Sequence, residues 1–203
     1  GGPRSGLAAM LAQHLRTSDL SGPALRARVE RLALRRGLFE IDEVPAVCAL
    51  LQPAGTDEEA DPNTPVVRFE TPRERFALLR RILSRLDPTP RPLILVFDDV
   101  QWGTEALQFA QWLLQTQPTH NTPFLVVLTA QEAALAERPE EAVLLERLAQ
   151  QDESRVVEVS PLSREHQAQL VRALLGMDGE LAAAVTRRTA GNPLFAVQLV
   201  GDW

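Results

Sequence analysis

The stretch "RPLILVFDDVQW", Arg91 to Trp102, decides the fold class of this chain. Five consecutive apolar residues, 93–97, lead directly into two neighbouring aspartates, Asp98 and Asp99. An apolar run of this length without polar alternation predicts a strand of a parallel sheet that is covered on both faces. Because ligands collect at the carboxyl ends of such strands, the two aspartates fall at the position of a binding site.

The segments around this strand predict a sheet flanked by helices. Strands and helices alternate after it, which is typical of an α/β fold with parallel crossovers. The predicted strands are 93–97, 124–129 and 155–159, and the helices between and after them are 104–116, 139–150, 164–175, 179–190 and 193–200. Upstream, helices are predicted at 7–17, 24–36, about 42–51 and from Pro72 to Leu86, with an irregular loop at 52–66.

Composition excludes several classes of function. The chain has 203 residues, of which 45% are hydrophobic, and a net charge of −6. That charge argues against nucleic-acid binding by this segment, and no apolar run approaches the roughly 20 residues of a membrane-spanning helix. The single cysteine, Cys48, excludes an internal disulfide, is expected to be a small buried hydrophobe and fits a cytoplasmic location.

Adjacent carboxylates at the end of a strand suit one kind of chemistry. Their hard oxygens are ligands that Mg²⁺ prefers, and in phosphate-loop nucleotidases one acid joins the magnesium shell while a neighbour orients the attacking water. The alternative is that one aspartate only begins the next helix, but Thr104 already fills that capping position. Two unpaired acids beside buried apolar residues cost free energy unless something uses them.

Three motifs in order resemble the STAND branch of the AAA-related ATPases. The segment "LILVFDDVQWGTEAL" resembles the Walker B segment of that family, "VSPLSREHQAQLVRALLG" the start of its helical lid, and "RRTAGNPLFAVQLV" its Gly-Asn-Pro-aromatic signature beside the bound base. The stretch "DLSGPALRARVERL…VPAVCALL" is similar to the helices that precede Walker B there. Taken alone, Gly191, Asn192 and Pro193 would also suit a plain corner between two helices.

The resemblance implies ATP and Mg²⁺ as cofactors. Asp98 would then bind the metal, and Asp99 would be the catalytic residue that orients water. The implied nucleotide contacts are the sensor positions Thr129 and Gln131 and the base-side residues Gly191, Asn192 and Pro193. Such modules occur in large bacterial regulators, so the expected function is an ATP-dependent regulatory switch within a signalling or transcription-regulating protein.

The chain departs from this family pattern at three places. Thr104 stands where the family has an acid, and Gln131 stands where it has an arginine that senses the terminal phosphate. The phosphate-binding loop is missing too, because the chain contains no lysine and hence no "GKS" or "GKT". Either that loop lies upstream, which is the expectation, or "GGPRSGLAAML" is a degenerate version with Arg4 and Ser5 in the key positions.

The expected architecture is an α/β, parallel-sheet core like that of the P-loop NTPases, incomplete at its N-terminus and followed by an all-helical lid. The core would cover 1–160, with a helical insertion at about 7–51 and a flexible loop at 52–66, and the lid would begin within 161–203.

Expected partners are the upstream and downstream domains of a parent protein and further copies of the ATPase module. The fragment alone is expected to bind ATP weakly or not at all. The alternative function is a degenerate ATPase that serves as a non-catalytic interaction scaffold, while a DNA-associated ATPase is disfavoured by the net charge.

Overall fold

The computed structural model of the protein describes residues 6–52, 67–86, 91–117, 122–176, 180–189 and 192–201. Within these ranges the chain forms ten α-helices and two strands. The elements are α1 Leu7–Leu15, α2 Gly22–Arg36, α3 Val44–Leu51, α4 Pro72–Ser84, β1 Leu93–Phe97, α5 Thr104–Thr116, β2 Phe124–Leu128, α6 Glu132–Leu135, α7 Pro139–Ala149, α8 Arg164–Leu175, α9 Glu180–Thr189 and α10 Pro193–Gly201. Two short 3-10 turns, Ile41–Glu43 and Val100–Trp102, precede α3 and α5. Most of the predicted loop, 53–66, lies outside the described residues.

The sheet consists of β1 and β2, which pair in parallel from Leu93 opposite Phe124 to Phe97 opposite Leu128. Parallel strands cannot be joined by a tight turn, and α5 lies in the connection between these two. The first predicted strand, the helix after it and the parallel α/β arrangement are therefore confirmed.

The two faces of the sheet differ in burial. Leu95 is buried in a core that residues of α1 to α5 share, whereas Ile94 and Val96 on the opposite face are 59% and 60% exposed. Leu125 and Val127 of β2 are exposed beside them. The prediction that both faces are covered is wrong for the described residues. Alternate side chains of a strand face opposite ways, and helices cover only one of the two faces.

The third predicted strand, 155–159, is also wrong within the described residues. That segment has no regular secondary structure, and Val156, Val157 and Val159 are 72%, 75% and 91% exposed. Valine favours a strand only where a neighbouring strand supplies packing and hydrogen-bond partners. A local run of valines carries no information on whether that neighbour exists.

The chain divides into two compact units, residues 1–154 and 155–203. The first contains α1 to α7 and the sheet, and Cys48 is partly buried against its core, where burial raises the pKa of the thiol to about 11. The second contains α8, α9 and α10, each of which contributes a buried side chain: Val171, Val185 and Ala196. None of the described helices is both long enough and apolar enough to cross a membrane.

Candidate functional site

The carboxyl ends of β1 and β2 bring four of the predicted site residues together. Asp98 and Asp99 directly follow β1, and Thr129 and Gln131 follow β2. The N–H group of Val100 donates to the carbonyl oxygen of Thr129 at 2.9 Å, so the segments that follow β1 and β2 remain paired beyond the sheet. The predicted position of the acids, at the carboxyl end of a strand in a parallel sheet, is confirmed, and ligand binding at this edge stays a prediction.

The hydroxyl group of Thr129 links the two aspartates. It donates to Oδ1 of Asp98 and accepts from the backbone N–H of Asp99 at 2.9 Å. Asp98 is exposed and Asp99 is half-buried. A single threonine on the neighbouring strand therefore fixes one acid through its side chain and the other through its backbone.

Asp99 has a left-handed backbone conformation, with φ 56° and ψ 47°. This region costs an ordinary residue about 1 kcal/mol or more, although aspartate tolerates it better than most. The turn ends β1 abruptly and leads the chain into the 3-10 turn that precedes α5. Strained residues of this kind persist only where the surrounding contacts hold them in place, and they are concentrated at functional sites.

Gln101 belongs to the site although the sequence did not predict it. Its side chain is completely buried, at 0% exposure. Its Nε2 donates to Oδ1 of Asp99 at 3.0 Å, and its Oε1 accepts from the backbone N–H of Gln131 at 3.3 Å. Gln131 Nε2 donates to the same Asp99 oxygen at 3.1 Å. The available signal was a polar residue between Val100 and Trp102 in an otherwise apolar spacer.

One oxygen of each aspartate accepts no hydrogen bond from any described residue. The contacts above use Oδ1 of Asp98 and of Asp99, and no described residue donates to either Oδ2. Magnesium usually binds through one or two carboxylates and completes its shell with water and substrate phosphates. No group of three or more metal-ligating side chains occurs in the described part of the chain. The site can therefore supply two carboxylates, and a cation would take its other ligands from water or phosphate.

The residues beyond the acid pair serve other contacts. Glu105 forms an ion pair with Arg75 and accepts from the backbone N–H of Leu7 at 3.3 Å. Its carboxylate is therefore engaged by residues of α1 and α4. Trp102 is 52% exposed, with the guanidinium carbon of Arg138 at 5.0 Å from its ring centre.

Asn192 and Pro193 of the predicted Gly-Asn-Pro signature lie in the second unit, where Asn192 caps a helix. Oδ1 of Asn192 accepts from the N–H of Phe195 at 3.1 Å, and α10 begins at Pro193. Of the two roles that the sequence left open, these contacts fit the start of a helix at a corner, and contact with a base stays a prediction. Gly191 lies outside the described residues, as do Arg4 and Ser5 of the alternative phosphate loop.

Searches against protein-family models, curated proteins and solved structures found no match to this chain. The resemblance to the STAND ATPases therefore rests on the motif residues alone. Support for a functional site comes from the geometry of the strand ends.

Proposed function

We propose that the chain is the ATP-binding core of a STAND-type regulatory switch, in which Mg²⁺ and the terminal phosphates of ATP lie over Asp98 and Asp99. The observation that carries this proposal is the pair of neighbouring carboxylates at the carboxyl end of β1, beside the end of the parallel strand β2. Each carboxylate has one oxygen that accepts no hydrogen bond from a described residue. Parallel sheets bind ligands at this edge, and Mg²⁺ binds phosphates through such carboxylates. A P-loop NTPase-like core and a helical lid in 161–203 belong to the same proposal.

The two aspartates have different proposed roles. Asp98, the more exposed of the two, belongs to the magnesium shell, directly or through a bound water. Asp99 orients the water that attacks the terminal phosphate, and the amide groups of Gln101 and Gln131 fix the orientation of its carboxylate. Because Gln131 donates to Asp99 and carries no charge, stabilisation of the transferring phosphoryl group by a sensor arginine is lost at this position. We therefore expect slow hydrolysis.

Slow hydrolysis suits a switch, because the ATP-bound state then persists until the nucleotide is cleaved. The nucleotide state would change the contacts that the module makes with neighbouring domains of a parent protein or with further copies of itself. The proposed location is the cytoplasm. The proposal also requires a G-x-x-x-x-G-K-[ST] loop from the parent protein, since this chain contains no lysine. The chain as given is expected to bind Mg·ATP weakly or not at all.

The scaffold alternative has one observation in its favour. Both amide groups that donate to Asp99, those of Gln101 and Gln131, come from the protein itself. Asp99 would then be a structural acceptor, and the degenerate site would hold no nucleotide.

ATP turnover by the parent protein tests the proposal and separates it from the scaffold. We expect slow, Mg²⁺-dependent turnover whose kcat falls by about 100-fold in Asp99→Asn, with little change in KM, because a water-orienting group acts in the transition state. Asp98→Asn should raise the Mg²⁺ concentration that gives half-maximal rate. Asp19→Asn, an exposed acid in another part of the fold, is the control and should keep the wild-type rate. Turnover that survives both site substitutions would contradict the proposed roles of Asp98 and Asp99, whereas a parent protein that neither binds nor hydrolyses ATP supports the scaffold instead.

A further inference from the structure

A cleft of about 230 Å³ lies between the end of α1 and one side of α2. This arginine cleft is lined by His14, Leu15, Arg16, Arg28, Leu32 and Arg36. Three of these six residues are arginines and none is acidic, although the whole chain has a net charge of −6. A local excess of positive charge in an acidic protein indicates a surface that attracts anions.

The spacing of residues along α2 builds one wall of the cleft. Arg28, Leu32 and Arg36 follow one another at intervals of four, so they lie on the same side of the helix. Leu32 and Leu15 are 4% and 2% exposed and anchor the two helices to the core. Arg28 is held in place, because its Nη2 donates to the carbonyl oxygen of Leu15 at 3.2 Å.

Arg16 occupies a backbone conformation that glycine usually fills. It ends α1 in the left-handed region, with φ 56° and ψ 53°, whereas α2 ends with Gly37 at φ 60°. This region is unfavourable for a residue with a Cβ, which is why helices commonly end with glycine there. An arginine is present in spite of that cost, at a position where its side chain lines the cleft. Strained residues of this kind are concentrated at binding sites.

The described residues do not neutralise the charge of the cleft. None of Arg16, Arg28 and Arg36 forms an ion pair with another described residue, whereas Arg26 in the same helix pairs with Glu30 at 3.0 Å. The end of α1 contributes about half a negative charge, which is much less than three guanidinium groups supply. Among the described residues, the cleft therefore keeps a net positive charge.

Guanidinium groups bind phosphate oxygens through paired N–H donors of matching geometry. The cleft is smaller than the roughly 300–1,000 Å³ that is usual for drug-sized ligands, so it suits one phosphate group and not a whole nucleotide. We propose that the arginine cleft binds a phosphate group, either as the free ion or as the terminal group of a small monoester. This site uses none of the residues of the acid pair and does not depend on the ATPase proposal.

Titration of the chain with inorganic phosphate, followed by NMR at constant ionic strength, tests this proposal. We expect saturable shifts of the backbone signals of His14, Arg16 and Arg36 and of the arginine side-chain signals. A parallel titration with glycerol 3-phosphate distinguishes the two sources. Tighter binding of this monoester assigns the cleft to small phosphorylated molecules, and tighter binding of inorganic phosphate assigns it to the free ion. Shifts that stay linear with both ligands, or that occur elsewhere, overturn the proposal.

Single substitutions separate a built site from general charge attraction. Arg36→Ala and Arg16→Asn should each weaken binding about tenfold, because each removes a guanidinium group that lines the cleft. Asparagine tolerates the left-handed conformation, so Arg16→Asn removes the charge without adding backbone strain. Arg35→Ala is the matched control, since it removes the same charge from an exposed neighbour that does not line the cleft. We expect it to keep the wild-type affinity, and equal weakening by Arg35→Ala would overturn the proposal.

Discussion

The two ends of the β1–β2 sheet both carry polar clusters, but the clusters differ in what they leave exposed. At the amino end the side chain of Arg80 is buried, at 2% exposure. At the carboxyl end Asp98 is exposed, and both aspartates keep one oxygen without a hydrogen bond from any described residue. The difference shows how to separate two kinds of polar group. A buried group packed by its neighbours serves stability, whereas an accessible group with an unshared oxygen is available to a ligand.

The amino-end cluster encloses the guanidinium group of Arg80. Its central carbon lies 5.9 Å from the ring centre of Trp112 and 5.3 Å from that of Phe124. Its amino groups donate to Oγ1 of Thr116 at 2.6 Å and to Oε1 of Gln117 at 3.3 Å. Burial lowers the pKa of Arg80, and no described acid pairs with it. Cation–π contacts and hydrogen bonds therefore offset the cost of removing this charge from water.

The largest effect is expected at the amino end. Arg80→Ala should lower the free energy of unfolding by about 2–4 kcal/mol, because it leaves a cavity between aromatic rings and removes two hydrogen-bond donors. Urea denaturation measures this change. Arg81→Ala is the control: its side chain is 55% exposed and pairs with Glu43 at the surface, so the expected loss is below about 1 kcal/mol. If both variants lose a similar amount of unfolding free energy, the buried contacts of Arg80 do not contribute more to stability than a surface ion pair.

A smaller effect is expected beneath the acid pair. Gln101→Leu should lower the free energy of unfolding by about 1–3 kcal/mol, since it removes a buried donor to Asp99 and the acceptor for the N–H of Gln131. Leucine is close to glutamine in size, so the loss reports on hydrogen bonds more than on packing. Gln131→Leu changes an exposed side chain and should cost less. If both variants are as stable as the wild-type chain, the network beneath Asp99 is not formed.

The smallest effect on stability is expected at the acids themselves. Asp98→Asn and Asp99→Asn should each change the free energy of unfolding by less than about 0.5 kcal/mol. The amide oxygen of asparagine can still accept the bonds from Thr129, Gln101 and Gln131, and asparagine also tolerates the left-handed conformation of residue 99. Thermal unfolding provides the comparison. A large loss of unfolding free energy in either variant would show that the acids, like Arg80, serve the stability of the fold.

The sequence predicted those features that depend on neighbouring residues along the chain. The limits of β1, α5 and α8 match the prediction because apolar spacing is a local signal. Capping residues contribute at α8, where Ser163 accepts from the N–H of His166 and Gly176 ends the helix. At α5 the predicted cap Thr104 is instead the first helical residue, and Gly103 holds the cap position without a side-chain hydrogen bond. The carboxyl-end position of Asp98 and Asp99 follows from the strand that precedes them.

Features that depend on distant packing were not predictable in this way. The strand 155–159 and the covered second face of the sheet both require partners that a local pattern cannot specify. Gln101 was missed because glutamine is mostly exposed in proteins, so its complete burial beneath Asp99 emerges only from the fold. The role of Glu105 in contacting Leu7, almost a hundred residues away, belongs to the same class.

Divalent-cation binding at the carboxyl end tests the central claim most directly. Mn²⁺ takes the same oxygen ligands as Mg²⁺ and broadens the NMR signals of nearby nuclei. The expected result is selective broadening of the signals of Asp98, Asp99 and Thr129 at millimolar Mn²⁺, reversed by excess Mg²⁺ and absent from the Asp98→Asn, Asp99→Asn double variant. Signals that stay sharp at this edge of the sheet, or equal broadening in the double variant, would contradict a cation site at the acid pair.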